Sequence, residues 1–228
     1  MKILIIPDLH GKDIWKKLVS DEYDKIIFLG DYVDSFDHTD SQIINNFKEI
    51  IEYKKTHMDL VELLLGNHCV MYYLLDEIDK LDFTPMCSGY RGLIGRTLNK
   101  MYKENADLFK CVWEHGNYLL SHAGFSDAYV RRVLKNDMDI EKLFKERDKR
   151  LFQVSRIRGG TDKQGGIFWA SFPEDVTKPY KGKHQIVGHT KKKEPKIITH
   201  DGGTIECVDV LDYITDIDEL KKILVREI

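Results

Sequence analysis

The stretch KIIFLGDYVDSFDHTD occupies residues 25–40, and its reading decides the fold. An apolar run, Ile26-Ile27-Phe28-Leu29, stops at Gly30. Five aspartates or histidines then crowd into ten residues: Asp31, Asp34, Asp37, His38 and Asp40. A short apolar run bounded by a turn signal reads as a buried strand. A turn accounts for one or two of the carboxylates beyond it. A binding site for something positive would account for more.

Working outward, the pattern recurs. Ile3–Ile6 is a second apolar run, followed by Pro7-Asp8-Leu9-His10. Leu60–Leu65 ends in Gly66-Asn67-His68, Tyr118–Leu120 in Ser121-His122-Ala123-Gly124, and Ile186–Val187 in Gly188-His189-Thr190. Three of these five groups follow a glycine directly, which lets the chain turn sharply and approach closely.

Helical patterns separate the runs. Residues 13–20 read as a helix. So do residues 41–55, where Ile43, Ile44, Phe47, Ile50 and Ile51 share a face and Ser41 is the expected N-cap. One or two amphipathic helices fit residues 126–151. Lys196–Thr199 and Ile205–Val210 are further strands, joined by the hairpin turn Asp201-Gly202-Gly203. The final stretch, ITDIDELKKILVREI, fits a helix or a last strand, with the helix preferred. This alternation predicts an α/β sheet, parallel at first and mixed later. In open α/β sheets, ligands bind beyond the carboxyl ends of the strands. The five polar groups are therefore expected at one end of the molecule.

The chain has 228 residues, 42% of them apolar, enough for a real core. It shows no repeat, low-complexity tract or linker, so a single domain over residues 1–228 is expected. A net charge of −3 and a pI near 6.3 argue against an electrostatic nucleic-acid binder, and no structural nucleic-acid partner is expected. The four cysteines form no CxxC pair and suggest no disulfide framework, which points to a reducing compartment. The apolar run after Met1-Lys2 is too short for a signal peptide. No run approaches the roughly 20 residues of a membrane span. A soluble, cytoplasmic protein with no membrane partner is the expectation.

The donor set fits two divalent metals. Asp8 and His10 are two apart, so on an extended chain they point the same way. Carboxylates, an amide and imidazoles together suit Mn²⁺, Fe or Zn²⁺ better than Ca²⁺. Asp31 could bridge two ions with its two oxygens. Two such ions with two carboxylates keep about +2, which matches a phosphate dianion and lowers the pKa of a bridging water.

The segments D-L-H (8–10), G-D-Y-V-D (30–34), G-N-H (66–68), S-H-A-G (121–124) and G-H-T (188–190) resemble, in order and spacing, the calcineurin-like metallophosphoesterases. GDYVD and LLGNH look most like the serine/threonine phosphoprotein phosphatase branch and its bacterial and phage relatives. The resemblance implies a metallophosphoesterase-type β-sandwich flanked by helices, an α/β/β/α four-layer arrangement. It implies that Asp8, His10 and Asp31 hold one metal, and that Asp31, Asn67, His122 and His189 hold the other. It makes His68 the general acid for the leaving alkoxide and Asp34 its partner. The implied activity is hydrolysis of phosphate monoesters, of a phosphoprotein or a small phosphate ester, by in-line attack of a metal-bridging hydroxide. Mn²⁺ is the expected metal, with Fe or Zn²⁺ as substitutes.

The chain also departs from that family. Where the phosphatases read GDYVDRG, this chain has Asp34-Ser35-Phe36. Where they read LLGNHE, it ends in Cys69. The LLWS element is at best Ile167-Phe168-Trp169-Ala170-Ser171. The phosphate-gripping arginine is thus missing from both expected places. Arg91, Arg96, Arg156 and Arg158 are candidate substitutes, and Arg158, between His122 and His189 beside a glycine-rich loop, is favoured. Lys191 stands where many phosphodiesterases and nucleases of the family carry a second histidine, which favours a phosphatase. Asp34 stands where purple acid phosphatases need a tyrosine. The missing arginines keep a phosphodiesterase, or a nucleotide or dinucleoside polyphosphate hydrolase, as the alternative. A non-catalytic scaffold is a third reading, disfavoured because every ligand is present. Asp37, His38 and Asp40 read as loop and cap residues. His57, His115, His184 and His200 read as surface or turn residues. Cys69 reads as a small buried residue, and residues 72–116 receive no assignment.

Overall fold

The computed structural model describes residues 1–78 and 87–228. Two five-stranded sheets, flanked by helices, form its centre. The first sheet contains β1 (Lys2–Ile6), β2 (Lys25–Phe28), β3 (Val61–Leu64), β4 (Phe109–Lys110) and β10 (Val225–Glu227), ordered β10-β1-β2-β3-β4. β1 to β4 run parallel, and β10 closes the edge antiparallel to β1. The second sheet contains β5 (Val112–His115), β6 (Tyr118–Ser121), β7 (His184–Val187), β8 (Lys196–His200) and β9 (Gly203–Cys207), ordered β5-β6-β7-β9-β8. Here β6, β7 and β9 are parallel, and β5 and β8 flank them antiparallel.

The strands form where apolar runs are buried on both faces, the signature of a covered parallel sheet. Ile3 to Ile6, Ile26 to Phe28 and Leu119 to Leu120 are fully buried and belong to one apolar cluster that spans both sheets. Parallel strands need crossovers. α1 (Trp15–Leu18) and α2 (Asp40–Thr56) supply the first two, and α3 (Asn67–Tyr73) and α4 (Gly95–Glu104) lie between β3 and β4. α5 (Asp127–Arg132) and α6 (Ile140–Lys145) follow β6, and α7 (Ile217–Leu224) precedes β10.

α2 buries Ile43, Phe47, Ile50 and Ile51 against the first sheet. Phe47 stacks on Tyr32 at 5.5 Å between ring centroids and meets Tyr102 at 4.6 Å. Burying one such ring contributes about 1.5–3 kcal/mol. The N-cap of α2 is Thr39, not Ser41 as expected. Thr39 Oγ1 accepts from the Gln42 amide while the Gln42 side chain accepts from the Thr39 amide at 2.9 Å, a reciprocal capping box. Ser41 lies one residue inside the first turn and cannot make that exchange.

Other boundaries moved as well. The helix expected over residues 13–20 shrinks to α1. The strand expected over Ile205–Val210 leaves its ladder after Cys207, although Val208 to Val210 stay buried. The hairpin turn forms as expected, with Asp201 and Gly202 both left-handed and His200 paired with Gly203. The final stretch is a helix followed by a strand, α7 then β10. All four cysteines are free thiols, and Cys69 is fully buried. Among the described residues, no helix is long and apolar enough to cross a membrane.

Candidate metal centre

The carboxyl ends of β1, β2, β3 and β7 meet in one cleft of about 990 Å³, lined among others by His10, Asp31, Asn67, His68 and His189, and the fully buried His122, beyond β6, touches Asn67 and His189 of that lining. Backbone bonds hold this arrangement. The Leu9 and His10 amides donate to the Asp31 carbonyl at 3.1 and 2.9 Å, and the Gly188 amide donates to that of His122 at 2.9 Å. The sheets are also tied at the site itself. Asp8 Oδ1, beyond β1, accepts from the His189 amide, beyond β7, at 2.9 Å.

Four of the residues expected at the site have left-handed backbones: His10, Asp31, Asp34 and His189, with φ of 46°, 48°, 66° and 63°. Such values are uncommon outside glycine and concentrate at functional sites. Two glycines make room for the carboxylates. A Cβ on Gly66 would strike Asp31 Oδ1, and one on Gly188 would strike Asp8 Oδ1.

Hydrogen bonding settles which imidazole nitrogens carry protons. His122 Nδ1 lies 2.9 Å from the Leu29 carbonyl, which can only accept, so Nδ1 is the donor. In the neutral ring the Nε2 lone pair then faces Asp31 Oδ2 at 3.3 Å, Asn67 Oδ1 at 2.9 Å and His189 Nδ1 at 3.0 Å. Asn67 turns its amide nitrogen to Cys87 Sγ at 3.4 Å, which leaves its oxygen to this cluster. His10 repeats the logic. Its Nδ1 donates to the Val33 and Asp34 carbonyls at 3.1 and 3.0 Å, and Nε2 faces Asp8 Oδ2 at 3.8 Å. Imidazoles anchored through one N–H to a carbonyl are oriented as metal ligands are.

Lone pairs thus converge with too few protons among them, and His189 Nε2 is buried without a hydrogen-bond partner. A cation would resolve the conflict. His10, Asp31 and His68 place donor atoms within 4.8 Å of one another, and so do Asp31, His122 and His189. Asp31 is common to both groups. The carboxylates favour positive charge at this point, whether a proton on His122 Nε2 or a metal ion in its place. Burial alone would raise Asp31, but His122 and His68 outweigh it and hold its carboxyl well below the usual range. Burial alone would lower His122, yet Asp31 and Asp8 push it up to about 9.

His68 is buried at the start of α3. Its Nδ1 lies 2.7 Å from Asp34 Oδ2, and its Nε2 3.9 Å from Asp31 Oδ2. Burial opposes its charge, but Asp31 and Asp34 prevail and raise its pKa. Tyr72, one turn along α3, donates to the other oxygen of Asp34 and accepts from the Arg91 amide at 2.9 Å. Tyr72 escaped the sequence reading, although the spacing of His68 and Tyr72, four apart on one helix, was a usable signal. Cys87 gave no such signal. Neither did Asp209, a buried carboxyl whose Oδ2 lacks a partner and whose pKa burial, Asp8 and Asp212 push well up.

A profile of the calcineurin-like phosphoesterases matches residues 1–193. The chain belongs to this family. It is a hydrolase of phosphate esters, and the family binds two divalent metals. No curated protein matches the phosphoesterase significantly. Among solved structures, the cold-active protein-tyrosine phosphatase of a psychrophilic Shewanella is similar at 18% identity and a TM-score of 0.54, over 90% of this chain and 70% of that one. A protein serine/threonine phosphatase from Saccharomyces cerevisiae is similar at 14% identity and a TM-score of 0.51, over 90% and 66%. At these identities the likeness concerns the fold.

The candidate arginines of the phosphoesterase separate clearly. Arg91 donates to the Ser35 and His38 carbonyls at 2.6 and 3.1 Å and pairs with Asp40, so it locks the loop before α2. Arg96 is an exposed partner of Asp76, and Arg156 bonds its own loop at Thr161. Arg158 alone of the four lines the cleft, where it donates to Thr190 Oγ1 and keeps a buried Nε without an acceptor. Burial lowers its pKa, which Asp8 opposes. Asp37 and His38 belong to the loop that Ser35 organises, with Ser35 Oγ accepting from the Asp37 amide at 3.1 Å and lying 3.0 Å from His38 Nδ1. His115 and His200 are exposed, His57 follows α2 as its C-cap, and His184 is half-buried.

Proposed function

We propose that the protein is a phosphomonoesterase with a dinuclear centre. Asp8, His10 and Asp31 would hold one ion, and Asp31, Asn67, His122 and His189 the other, with Mn²⁺ preferred over Fe and Zn²⁺. Bound there, the ions would activate water and neutralise charge on the phosphoryl group.

The chain's own residues do the rest. His68, held by Asp34, presents its Nε2 proton to the leaving oxygen as water attacks in line from the opposite side. Arg158, which lines the cleft, would turn its guanidinium to the phosphate oxygens, with the fork geometry that suits them. Asp34, fixed by Tyr72, keeps the His68 ring in place and stabilises its cationic form. The substrate class is a phosphoprotein or a small phosphate ester.

The observation that carries this reading is the buried His68–Asp34 pair with its free nitrogen turned toward Asp31. An alkoxide or a tyrosyl-type phenoxide leaves far more readily once protonated, so a positioned acid serves a monoesterase acting on either kind of ester. The test is initial rates on p-nitrophenyl phosphate and bis-p-nitrophenyl phosphate with metal-stripped protein, with and without Mn²⁺, beside Asp31→Asn. Metal-dependent monoester turnover lost in the variant is expected. A strong diester preference would refute monoester specificity.

A further inference from the structure

Phe36 stands directly after Ser35, the position that replaces the expected phosphate-binding arginine. Ser35 is buried and its hydroxyl is spent on the Asp37 amide and His38. Phe36, by contrast, has 80% of its surface exposed. Leaving such a ring in water forgoes about 1.5–3 kcal/mol of burial. Single exposed apolar side chains are ordinary on a protein surface. Two in one catalytic cleft are less so. Of the seven large apolar side chains exposed among the described residues, Phe36 and Tyr213 both line the cleft that holds Asp31 and His68, and Tyr213 is 53% exposed. Ile14 and Leu211 extend the apolar lining.

The position of Phe36 is informative. It lies two residues from Asp34, whose partner His68 is proposed above to face the leaving oxygen. Phe36 and His68 line the same cleft, so a group attached to that oxygen can reach the ring. A nucleobase, separated from its phosphate by a ribose, would begin several bonds further away.

We infer that Phe36 and Tyr213 form a ring-binding subsite for the leaving group, and that the preferred substrates are aryl phosphate monoesters of the phosphotyrosyl type. The inference rests on the phosphomonoesterase reading for its substrate, but the rings can be tested without turnover. Aromatic contacts of this kind are worth roughly 2- to 12-fold in affinity beyond area burial.

The experiment is titration calorimetry of the Mn²⁺-loaded protein with benzylphosphonate and with ethylphosphonate, neither of which has an ester bond to cleave. The expected result is that benzylphosphonate binds about 5-fold or more tightly than ethylphosphonate. Phe36→Ala and Tyr213→Ala should each reduce that preference, and Phe36→Tyr should retain it. Equal binding of the two ligands, or a preference untouched by both alanine variants, would overturn the subsite. Rates on phosphotyrosine, a nucleoside 5′-monophosphate and β-glycerol phosphate then fix the class. Phe36→Ala should raise KM for phosphotyrosine several-fold more than for β-glycerol phosphate. A greater loss on the nucleotide would overturn the aryl assignment. Absence of turnover on all three would refute the phosphomonoesterase reading, and the calorimetry would still decide the subsite.

Discussion

Gly188→Ala tests the geometry of the centre without touching a ligand. Gly188 needs no special backbone, since its φ is not left-handed. What it lacks is space, because an added Cβ meets Asp8 Oδ1. That oxygen accepts the His189 amide at 2.9 Å, and Asp8 Oδ2 faces His10. The methyl must therefore push the carboxylate off its hydrogen bond. A hydrogen bond to a charged group is worth about 1.5–3 kcal/mol. At about 1.4 kcal/mol per tenfold, Mn²⁺ affinity should fall roughly 10- to 100-fold. Asp8 and His189 belong to the proposed ligand sets of different ions, so both sites should weaken. The assay is titration calorimetry with Mn²⁺ and a parallel thermal melt. Gly182→Ala is the control. Its backbone is left-handed but its Cβ meets nothing within 4 Å, so it should cost about 1 kcal/mol of stability and no metal affinity. Wild-type affinity in Gly188→Ala would refute the placement of Asp8 as a ligand.

Three further outcomes follow from the same geometry. His68→Ala should lower kcat on an alkyl phosphate about 10²- to 10⁴-fold and affect p-nitrophenyl phosphate less, because that leaving group needs little protonation. His68 has a raised pKa in the fold, so its acid form is complete below its ordinary value of 6.5 and is lost as pH rises through the raised one. Asp34→Asn, which keeps a residue tolerant of φ 66°, should therefore move the alkaline limb of the kcat profile to lower pH, and an unmoved limb would contradict the pairing. Phe47→Ala removes the ring between Tyr32, Tyr102 and Phe109 and should cost about 3–5 kcal/mol in urea unfolding, with the m-value unchanged.

Much of the site was legible because its chemistry sits at strand ends. Apolar runs such as Ile3–Ile6 and Ile26–Leu29 mark the strands, and Asp8, Asp31, Asn67, His122 and His189 follow such runs within a few residues. Local pattern carries no information about what crosses the sheets. Nothing near Asn67 indicates that its amide nitrogen goes to Cys87, or near His122 that its ring is anchored on the Leu29 carbonyl, 93 residues away. The cap of α2 went to Thr39 because the deciding partner, Gln42, is polar on both sides of the exchange. The stretch from residue 72 to 116 was opaque for a different reason. β4 and β5 are two and four residues long, and Phe109–Lys110 is specified by pairing with β3 rather than by its own alternation.

The centre is also a seam between the sheets, and this links stability to binding. His10, Asp31 and Asp34 come from the first sheet and His189 from the second, and all four hold left-handed backbones. Non-glycine residues pay roughly 1–3 kcal/mol each for sparsely populated conformations of this kind. The compensation is visible at each one. His10 is held by two carbonyls and Asp34 by His68 and Tyr72. The Asp31 carbonyl takes two amides, and the His189 amide is taken by Asp8. Each compensating bond also aims a donor at the same cleft. Three of these compensations lie within the first-sheet half, and only the Asp8–His189 bond crosses the seam, so the strain at His189 persists only while both sheets are assembled, and the donors of the two halves converge only under the same condition. Metal binding should accordingly stabilise the joined sheets together rather than either one alone.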